Sequence, residues 1–198
     1  MLRILGKASS INVRKVLWTC EEIGIAYTRT DDGAELERNP NGLVPVIVDG
    51  DFVLWESNSI IRYLANKWAA HALLPREPQA RAEVDRWIDW QATELNNSWR
   101  YAFSAIVRRN PAFSDVKQIE ASKKAWTRMM AILDAQLART GAYVAGAASC
   151  LADIPIGLSI NRWFMTFLER PPFPAVEAYH ERLSRRPAFL KHGRNGIA

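Results

Sequence analysis

The fold is decided by residues 43–64, which read Leu43-Val44-Pro45-Val46-Ile47-Val48-Asp49-Gly50-Asp51-Phe52-Val53-Leu54-Trp55-Glu56-Ser57-Asn58-Ser59-Ile60-Ile61-Arg62-Tyr63-Leu64. Two apolar runs flank Asp49-Gly50, a dipeptide favoured in two-residue hairpin turns. Both runs are apolar on both faces, which predicts a sheet covered on both sides. Ile60, Ile61 and Leu64 then recur at helical spacing. The stretch therefore predicts a β-hairpin that leads directly into a helix.

The residues before this stretch predict a strand, a helix and a second strand. Leu2 to Leu5 suits a short buried strand, and Ala26 to Thr30 suits the next one. Between them an apolar stripe has helical spacing, formed by Val13, Val16, Leu17, Cys20 and Ile23. Gly24 is placed to end that helix in the left-handed conformation. Such a βαβ unit is expected to be right-handed with parallel strands.

The rest of the chain is almost wholly helical in period. One long helix is expected over the stripe Val84–Phe103, a second over Trp126–Leu137, a third and central one over Ile154–Leu168, and a last one over Val176–Leu183. A segment with two prolines separates the two parts. We therefore divide the chain into a mixed α/β domain at 1–70, a linker at 71–80 and an all-α helical bundle at 81–198.

The composition excludes several classes of protein. The 198 residues are 48% hydrophobic and 24% charged, which is ordinary for a globular protein. No apolar run approaches the ~18 residues of a membrane span, and no secretory leader follows Met1. We therefore expect a cytoplasmic protein. Cys20 and Cys150 are far apart, so neither a disulfide framework nor a metal site is expected.

The net charge of +5 raises the question whether the protein binds nucleic acid. Basic residues become more frequent towards residue 194, but they form no dense run and do not alternate with aromatic residues. A solvated basic surface is favoured, and it would also attract small anionic substrates. We expect no nucleic-acid partner.

Three short stretches in the first part suggest chemistry. A proline in Val44-Pro45 opens a strand, and a cis bond there would leave the Val44 backbone free to pair with an extended ligand, although an ordinary trans proline is the simpler interpretation. Glu56-Ser57 stands at a helix start, where free amides hold anions and a carboxylate can grip an ammonium. Taken alone, that pair is better explained by Ser57 as a plain N-cap and Glu56 as a solvated charge.

The third stretch contains Ser9, Ser10 and Asn12 at another helix start. A thiolate near a helix N-terminus is stabilised by the helix dipole and by a donating hydroxyl. Ser10 or Asn12 could supply such a donor. A simple N-cap explains the same residues, although no Glu or Gln follows three positions later to complete a capping box.

Taken together, these residues resemble the N-terminal domain of cytosolic glutathione S-transferases, most closely the theta-like group common in bacteria. The similarity lies in Ser10–Val16, Asn39–Val46 and Asp49–Leu64. In the second part, Leu151–Ile154 is similar to the family's motif at the start of its sixth helix, and Arg182–Phe189 to its C-terminal helix. The resemblance covers nearly the whole chain.

The resemblance implies a thioredoxin-like N-terminal domain, a helical C-terminal domain, a homodimer and glutathione as co-substrate, with no metal. Ser10 matches the hydroxyl that hydrogen-bonds the glutathione sulfur, and Asn12 matches a nearby polar position that serves this role, or assists it, in some related bacterial enzymes. Val44 matches the residue whose backbone pairs with the cysteinyl part, before a cis bond to Pro45. Glu56 and Ser57 match the pair that binds the γ-glutamyl end.

Two positions depart from the family pattern. Leu43 stands where some relatives carry a basic residue for the glycyl carboxylate, so glutathione affinity is expected to be modest. Cys150 stands where a Ser or Thr usually caps the sixth helix, so Ser149 is expected to substitute, or the helix start to be weaker by about 1 kcal/mol. The opening stretch has no Tyr and no Cys at Ser10, which argues against the tyrosine classes and the mixed-disulfide classes.

The second substrate is expected between the two parts. The residues predicted to line its pocket are Asn96, Trp99, Arg100, Phe103 and Trp163. For any one of the aromatic residues, packing in the helical core is the favoured interpretation. The dimer is expected to use the helix Ser59–Trp68 against the long helix of a second copy.

The leading hypothesis is therefore conjugation of glutathione to small electrophiles, with Ser10 stabilising the thiolate. On the same fold, a peroxidase, disulfide reductase, isomerase or dehalogenase reaction would use the same residues. A non-catalytic binding module is a third possibility, since a fold does not fix a function.

Overall fold

The computed structural model describes all 198 residues. A four-stranded sheet is formed by β1 (Leu2–Leu5), β2 (Tyr27–Thr30), β3 (Val46–Asp49) and β4 (Phe52–Trp55), in the order β2-β1-β3-β4. β1 pairs with β2 in parallel, as the βαβ pattern predicts, and β3 pairs antiparallel with both β1 and β4. The Asp49-Gly50 hairpin is confirmed, and Gly50 adopts φ 62° in its turn.

Eight α-helices accompany the sheet. They are α1 (Ile11–Ile23), α2 (Ser57–Lys67), α3 (Pro78–Trp90), α4 (Asn96–Ile106), α5 (Val116–Thr140), α6 (Asp153–Met165), α7 (Pro174–Leu183) and α8 (Pro187–His192). Short 3-10 turns lie at Ala34–Arg38 and Pro111–Phe113. The N-terminal sheet with α1 and α2 is the thioredoxin-like domain, and α3 to α8 form the helical domain. None of these helices is both long enough and apolar enough to cross a membrane.

The two faces of the sheet are covered unequally. On one face, Leu2, Ile4 and Ile47 join the main core, together with the buried sides of α1 and α2. On the other, Leu5, Val46 and Val48 form a small separate cluster under Leu36 of the first 3-10 turn. Both faces are therefore apolar, as predicted, but only one packs against helices.

The long helix predicted through residues 84–103 is interrupted. α3 runs into a π-helical turn at Gln91–Leu95, which leads into α4 without a break in the backbone. π-turns of this kind are frequent at functional sites because they re-aim side chains. α3 also begins at Pro78, inside the predicted linker, since Glu77 caps the helix by accepting from the Gln79 and Ala80 N–H groups.

α6 lies in the middle of the helical domain. Every residue from Asp153 to Trp163 is buried, and Thr166 ends the helix, so Leu168 lies beyond it. No side chain caps its N-terminus, neither Ser149 nor Cys150. Instead the buried Asp153 carboxylate accepts from the Val144 and Cys150 N–H groups at 3.0 and 2.7 Å. The helix start is therefore fixed by a tertiary network.

Candidate functional site

A cavity of about 1100 Å³ opens between the two domains. The start of α1 and Val44 form one wall, and α4 and the last turn of α6 form the other. It is lined by Lys7, Ser9, Ser10, Ile11, Asn12, Asp31, Val44, Asn96, Trp99, Arg100, Phe103, Ser104, Val107, Arg108, Asn110, Phe113, Arg162, Met165 and residues 196–198. Polar groups therefore face an aromatic wall across the domain boundary, an arrangement usual in ligand pockets.

Gly6 allows the first wall to close. It follows β1 with φ 132°, a conformation open to glycine. A Cβ at this position would lie 2.7 Å from Val13 Cγ2 and 2.7 Å from Val44 Cβ. Only a residue without a side chain lets the Val44 loop approach the start of α1, which brings Val44 and Ser10 to the same cavity.

Ser10 is the N-cap residue of α1 by backbone conformation, with φ −72° and ψ 126°, and its C=O accepts from the Arg14 N–H. Its hydroxyl, however, makes no capping hydrogen bond. The Asn12 amide also makes no hydrogen bond within the chain and lines the same cavity. Both polar groups are thus available to a ligand at the positive end of a helix dipole.

Val44 and Pro45 are joined by a cis peptide bond. Val44 lines the cavity, whereas Pro45 is buried beneath it. Neither the N–H nor the C=O of Val44 has a hydrogen-bond partner among the backbone pairs or the side chains. The C=O of the adjacent Leu43, by contrast, already has a partner, because it accepts a hydrogen bond from the Asn39 side-chain amide at 2.7 Å.

Glu56 and Ser57 lie at the start of α2 and do not line this cavity. Glu56 has φ 73°, a conformation that costs a non-glycine residue about 1–3 kcal/mol and is concentrated at functional sites. Its carboxylate accepts from the Asn58 N–H at 3.3 Å, so Glu56 and not Ser57 caps the helix. Ser57 is buried as the first helical residue.

A buried lysine connects this corner to the helical domain. Lys15 Nζ donates to Asn58 Oδ1 at 3.1 Å and to Gln91 Oε1 at 3.2 Å. Gln91, in the π-turn, donates in turn to Asn96 and Ser159. Burial lowers the pKa of Lys15 to about 8, while the nearby Glu56 carboxylate opposes that shift.

Four of the five residues predicted for the second-substrate pocket line the cavity: Asn96, Trp99, Arg100 and Phe103. Trp163 does not. It is 1% exposed and packs in the core, with ring centroids 5.0 Å from Trp126 and 6.3 Å from Phe173. The prediction for Trp163 is wrong because every face of this part of α6 is buried, and its ring packs within the helical domain.

Sequence reasoning found Arg100 but missed the other cations of the cavity. Arg162 on α6, Arg108 beyond the end of α4 and Lys7 in the β1–α1 turn all line it. Arg162 stands in an otherwise apolar helical stretch. A charge in a helix that is predicted to be buried was the signal that could have marked it as a site residue. The chain from Gly196 to Ala198 also closes over the cavity, which no local pattern indicates.

The structure contains no cluster of three or more His, Cys, Asp or Glu side chains that could hold a metal ion. The residues that line the cavity offer hydroxyl, amide, carboxylate, backbone and cationic groups.

The chain is similar to known proteins in sequence and in fold. Residues 9–67 match the family profile described as the glutathione S-transferase N-terminal domain. The chain is 36% identical to glutathione S-transferase GstB of Escherichia coli, over 96% of this chain and 97% of that protein. It is 31% identical to glutathione S-transferase 3 of Zea mays, over 96% and 92% of the two chains.

Among solved structures, the theta class glutathione S-transferase of Xanthomonas axonopodis pv. citri with glutathione bound is similar, with a TM-score of 0.90 and 39% identity. The match covers 100% of this chain and 99% of that one. Identity at this level over nearly full length shows common descent as well as a common fold. The chain belongs to the glutathione S-transferase family of enzymes.

Proposed function

We propose that this enzyme binds glutathione and conjugates it to small electrophiles, with the Ser10 hydroxyl stabilising the thiolate. The observation that supports this most is the free Ser10 hydroxyl, which caps nothing and faces the cavity. A donor at a helix N-terminus favours the anionic form of a sulfur placed beside it. The glutathione-bound relative from Xanthomonas shows that this fold accepts the tripeptide.

The remaining groups suit an extended tripeptide. The unpartnered N–H and C=O of Val44 offer two backbone hydrogen bonds to the cysteinyl residue. The Glu56 carboxylate and the amides at the start of α2 offer complementary charges to the ammonium and carboxylate of the γ-glutamyl end. Ser57 would contribute its backbone N–H, and Pro45 would only shape the loop.

The aromatic wall would hold the second substrate. Trp99 and Phe103 pack edge to face with ring centroids 5.5 Å apart, and both line the cavity with Asn96 and Arg100. The sulfur at Ser10 would attack an electrophile held against these rings. Positioning of two reactants in one cavity supplies much of the rate enhancement in such reactions.

The test is conjugation of 1-chloro-2,4-dinitrobenzene, measured by absorbance. Ser10→Ala is expected to lower kcat/KM by about 10²-fold and to raise the pKa of the bound thiol, which its ultraviolet absorbance reports. Ser9→Ala is the matched control, because Ser9 is an exposed serine on the same cavity wall. Full activity in both Ser10→Ala and Asn12→Ala would refute the assignment.

We propose further that the enzyme is a homodimer through the outer surface of β4 and α2. Phe52 is 47% exposed, Trp55 and Trp68 are more than a third exposed, and Phe52 packs on Tyr63 with centroids 5.2 Å apart. Sedimentation equilibrium should show a dimer that Phe52→Glu converts to a monomer. Phe167→Glu, at a 94% exposed site in the helical domain, should not change the mass.

A further inference from the structure

A chain of side-chain hydrogen bonds runs from α1 to Asn96 in the cavity wall. Lys15 Nζ donates to Gln91 Oε1 at 3.2 Å, and Gln91 Nε2 donates to Asn96 Oδ1 at 3.0 Å. Gln91 and Asn96 are five residues apart, the spacing that a π-turn places on one face, and the Asn96 N–H donates to the Gln91 C=O. Lys15 is 2% exposed and Gln91 is completely buried, so the first bond is shielded from solvent.

The direction of this chain is set by Lys15. An ammonium group has three donors and no acceptor, so the Gln91 amide must turn its oxygen towards Lys15. Only the Nε2 donors of Gln91 then remain for its other two neighbours, Asn96 and Ser159. Ser159 can accept because its own hydroxyl donates to the Pro155 C=O at 2.9 Å. Asn96 must accept as well, which requires its Oδ1 to face Gln91.

The other half of the Asn96 amide is consequently free. Nδ2 has no acceptor within the chain, and it is not among the buried unpaired atoms, so it is accessible. Asn96 lines the cavity, and Trp99 and Arg100 follow on the same face of α4, three and four residues later. At Asn96 the wall therefore presents N–H donors beside an aromatic ring, and the acceptor oxygen of the amide is turned away.

We propose that Asn96 is a specificity-determining residue that donates from Nδ2 to a carbonyl or nitro oxygen of the second substrate, in the orientation that Lys15 imposes through Gln91. This deepens the conjugation reaction proposed above and rests on it. Asn96 would touch the substrate, whereas Gln91 and Lys15 would act through it as positioning residues. A fixed donor in a pocket favours a substrate that supplies an acceptor over an analogue that lacks one.

The experiment compares 4-(chloromethyl)acetophenone with 4-(trifluoromethyl)benzyl chloride, which share a leaving group and differ in a carbonyl acceptor. In both, sulfur bonds to the benzylic carbon, chloride leaves with the bonding electron pair, and the thiol proton passes to solvent. An assay at about pH 6.5 keeps Lys15 charged, because burial lowers its pKa only to about 8. After division by the uncatalysed rates, wild-type kcat/KM should favour the ketone by about fivefold, the effect of one neutral hydrogen bond.

Gln91→Glu tests the imposed direction at a position that does not line the cavity. The new carboxylate can accept from Lys15 as Gln91 does, but it cannot donate to Asn96. The Asn96 amide must then turn over, donate to residue 91 and present its oxygen to the cavity. The ketone preference should fall by about fivefold.

Ser159→Ala is the matched control for Gln91→Glu. It removes a partner of the same Gln91 Nε2 and disturbs the same buried network, but it leaves the direction of the hydrogen bonds unchanged. The ketone preference should therefore persist. A merely structural role of the network would instead change the preference equally in both variants.

Asn96→Asp tests the donor itself. The carboxylate still accepts from Gln91 Nε2, but it offers no N–H to a substrate, so the ketone preference should disappear. Asn97→Asp is its matched control, because Asn97 is exposed on α4, does not line the cavity and undergoes the same change of charge. It should keep the wild-type preference.

Equal normalised rates with the two chlorides in the wild type would overturn the inference while leaving conjugation intact. A preference that survives in both Gln91→Glu and Asn96→Asp would assign it to another donor, such as Arg100, and would also overturn it. A higher KM for glutathione in Asn96→Asp, with an unchanged preference, would assign Asn96 to glutathione with the same consequence. Conjugation of neither chloride would instead count against the proposed function.

Gln91→Glu introduces a buried carboxylate and so requires a second route if the variant does not fold. Lys15→Met releases the Gln91 amide from its fixed orientation without adding a charge. It should lower the ketone preference, whereas an unchanged preference in this variant would overturn the role of Lys15 and Gln91. Asn96→Asp, at a half-buried position, decides the role of Asn96 in either case.

Discussion

Lys15 on α1 and Gln91 in the π-helical turn are joined by a buried hydrogen bond of 3.2 Å between Nζ and Oε1. The bond crosses from the thioredoxin-like domain to the helical domain, and Gln91 can reach it because the π-turn shifts the helix register at this residue. Through Asn96, the same network ends at the wall of the cavity. A buried lysine therefore connects the two walls through hydrogen bonds.

Lys15→Met tests whether this lysine is buried with a lowered pKa, through the pH dependence of the free energy of unfolding. Burial lowers the folded-state pKa of Lys15 to about 8, whereas the unfolded value is 10.5. Between these values the unfolded state binds more protons, so this group adds stability as the pH rises and removes it as the pH falls to 8. From pH 8 to pH 10.5, the free energy of unfolding of the wild type should rise by up to about 3 kcal/mol relative to that of the variant.

Urea denaturation of both proteins from pH 7.5 to 10.5 measures that difference. The comparison cancels the opposing contributions of Cys20 and Cys150, whose thiol pKa values burial raises. A constant difference between wild type and variant across the window would show that Lys15 titrates normally. Charges facing Lys15 come from Glu56, Arg62 and Arg162, and none is changed.

Gly6→Ala should destabilise the fold and open the cavity. The added methyl group meets Val13 and Val44 at 2.7 Å, so one wall must move, at a cost of about 2–4 kcal/mol. Gly146→Ala is the matched control, because Gly146 has φ 155° but open space around its Cβ position. Thermal denaturation should show a clearly larger loss for Gly6→Ala, and similar losses would contradict the packing argument.

Glu56→Gln should weaken glutathione binding by about tenfold, because an amide keeps the Asn58 contact but loses the attraction for an ammonium. Isothermal titration calorimetry with glutathione measures the effect. Glu94→Gln, at an exposed position in the π-turn, is expected to bind as the wild type does. An unchanged Kd in Glu56→Gln would show that the γ-glutamyl end of glutathione does not bind at the start of α2.

His180 is expected to make the fold sensitive to acid. Its ring lies between Phe164 and Phe189, and burial with the nearby Arg194 lowers its pKa from 6.5 to about 4, against the opposing charge of Glu181. The unfolded state therefore binds the extra proton between pH 6.5 and 4, and the stability present above 6.5 is lost as the pH falls through 4, by up to about 3 kcal/mol.

His180→Phe should flatten this part of the stability profile, because an uncharged ring fills the same aromatic site. His192 is the comparison residue, since burial also lowers its pKa although Glu21 opposes the shift. His192→Phe should have a smaller effect on the profile measured by urea denaturation from pH 4 to 7. An equal acid loss in wild type and His180→Phe would exclude His180 as the cause.

Residues close in sequence determined much of this protein. The Asp49-Gly50 hairpin, the Gly24 end of α1 and the parallel βαβ unit follow from spacing and turn chemistry, which act over a few residues. The family similarity of residues 43–64 then pointed to the cavity wall that contains Ser10 and Val44. The hairpin, the end of α1 and the βαβ unit are confirmed, because each depends on local backbone preference and on a single buried face.

The tertiary structure decided the rest. Trp163 belongs to the core and not to the cavity, because neighbours distant in sequence cover every face of α6. Asp153, and no residue before it, fixes the start of that helix through amides of Val144 and Cys150. The contacts of the buried Arg162 guanidinium with the Trp99 and Phe103 rings likewise depend on elements that are distant in sequence. A helical stripe shows that a side chain points inward, but only the assembled fold shows what it meets there.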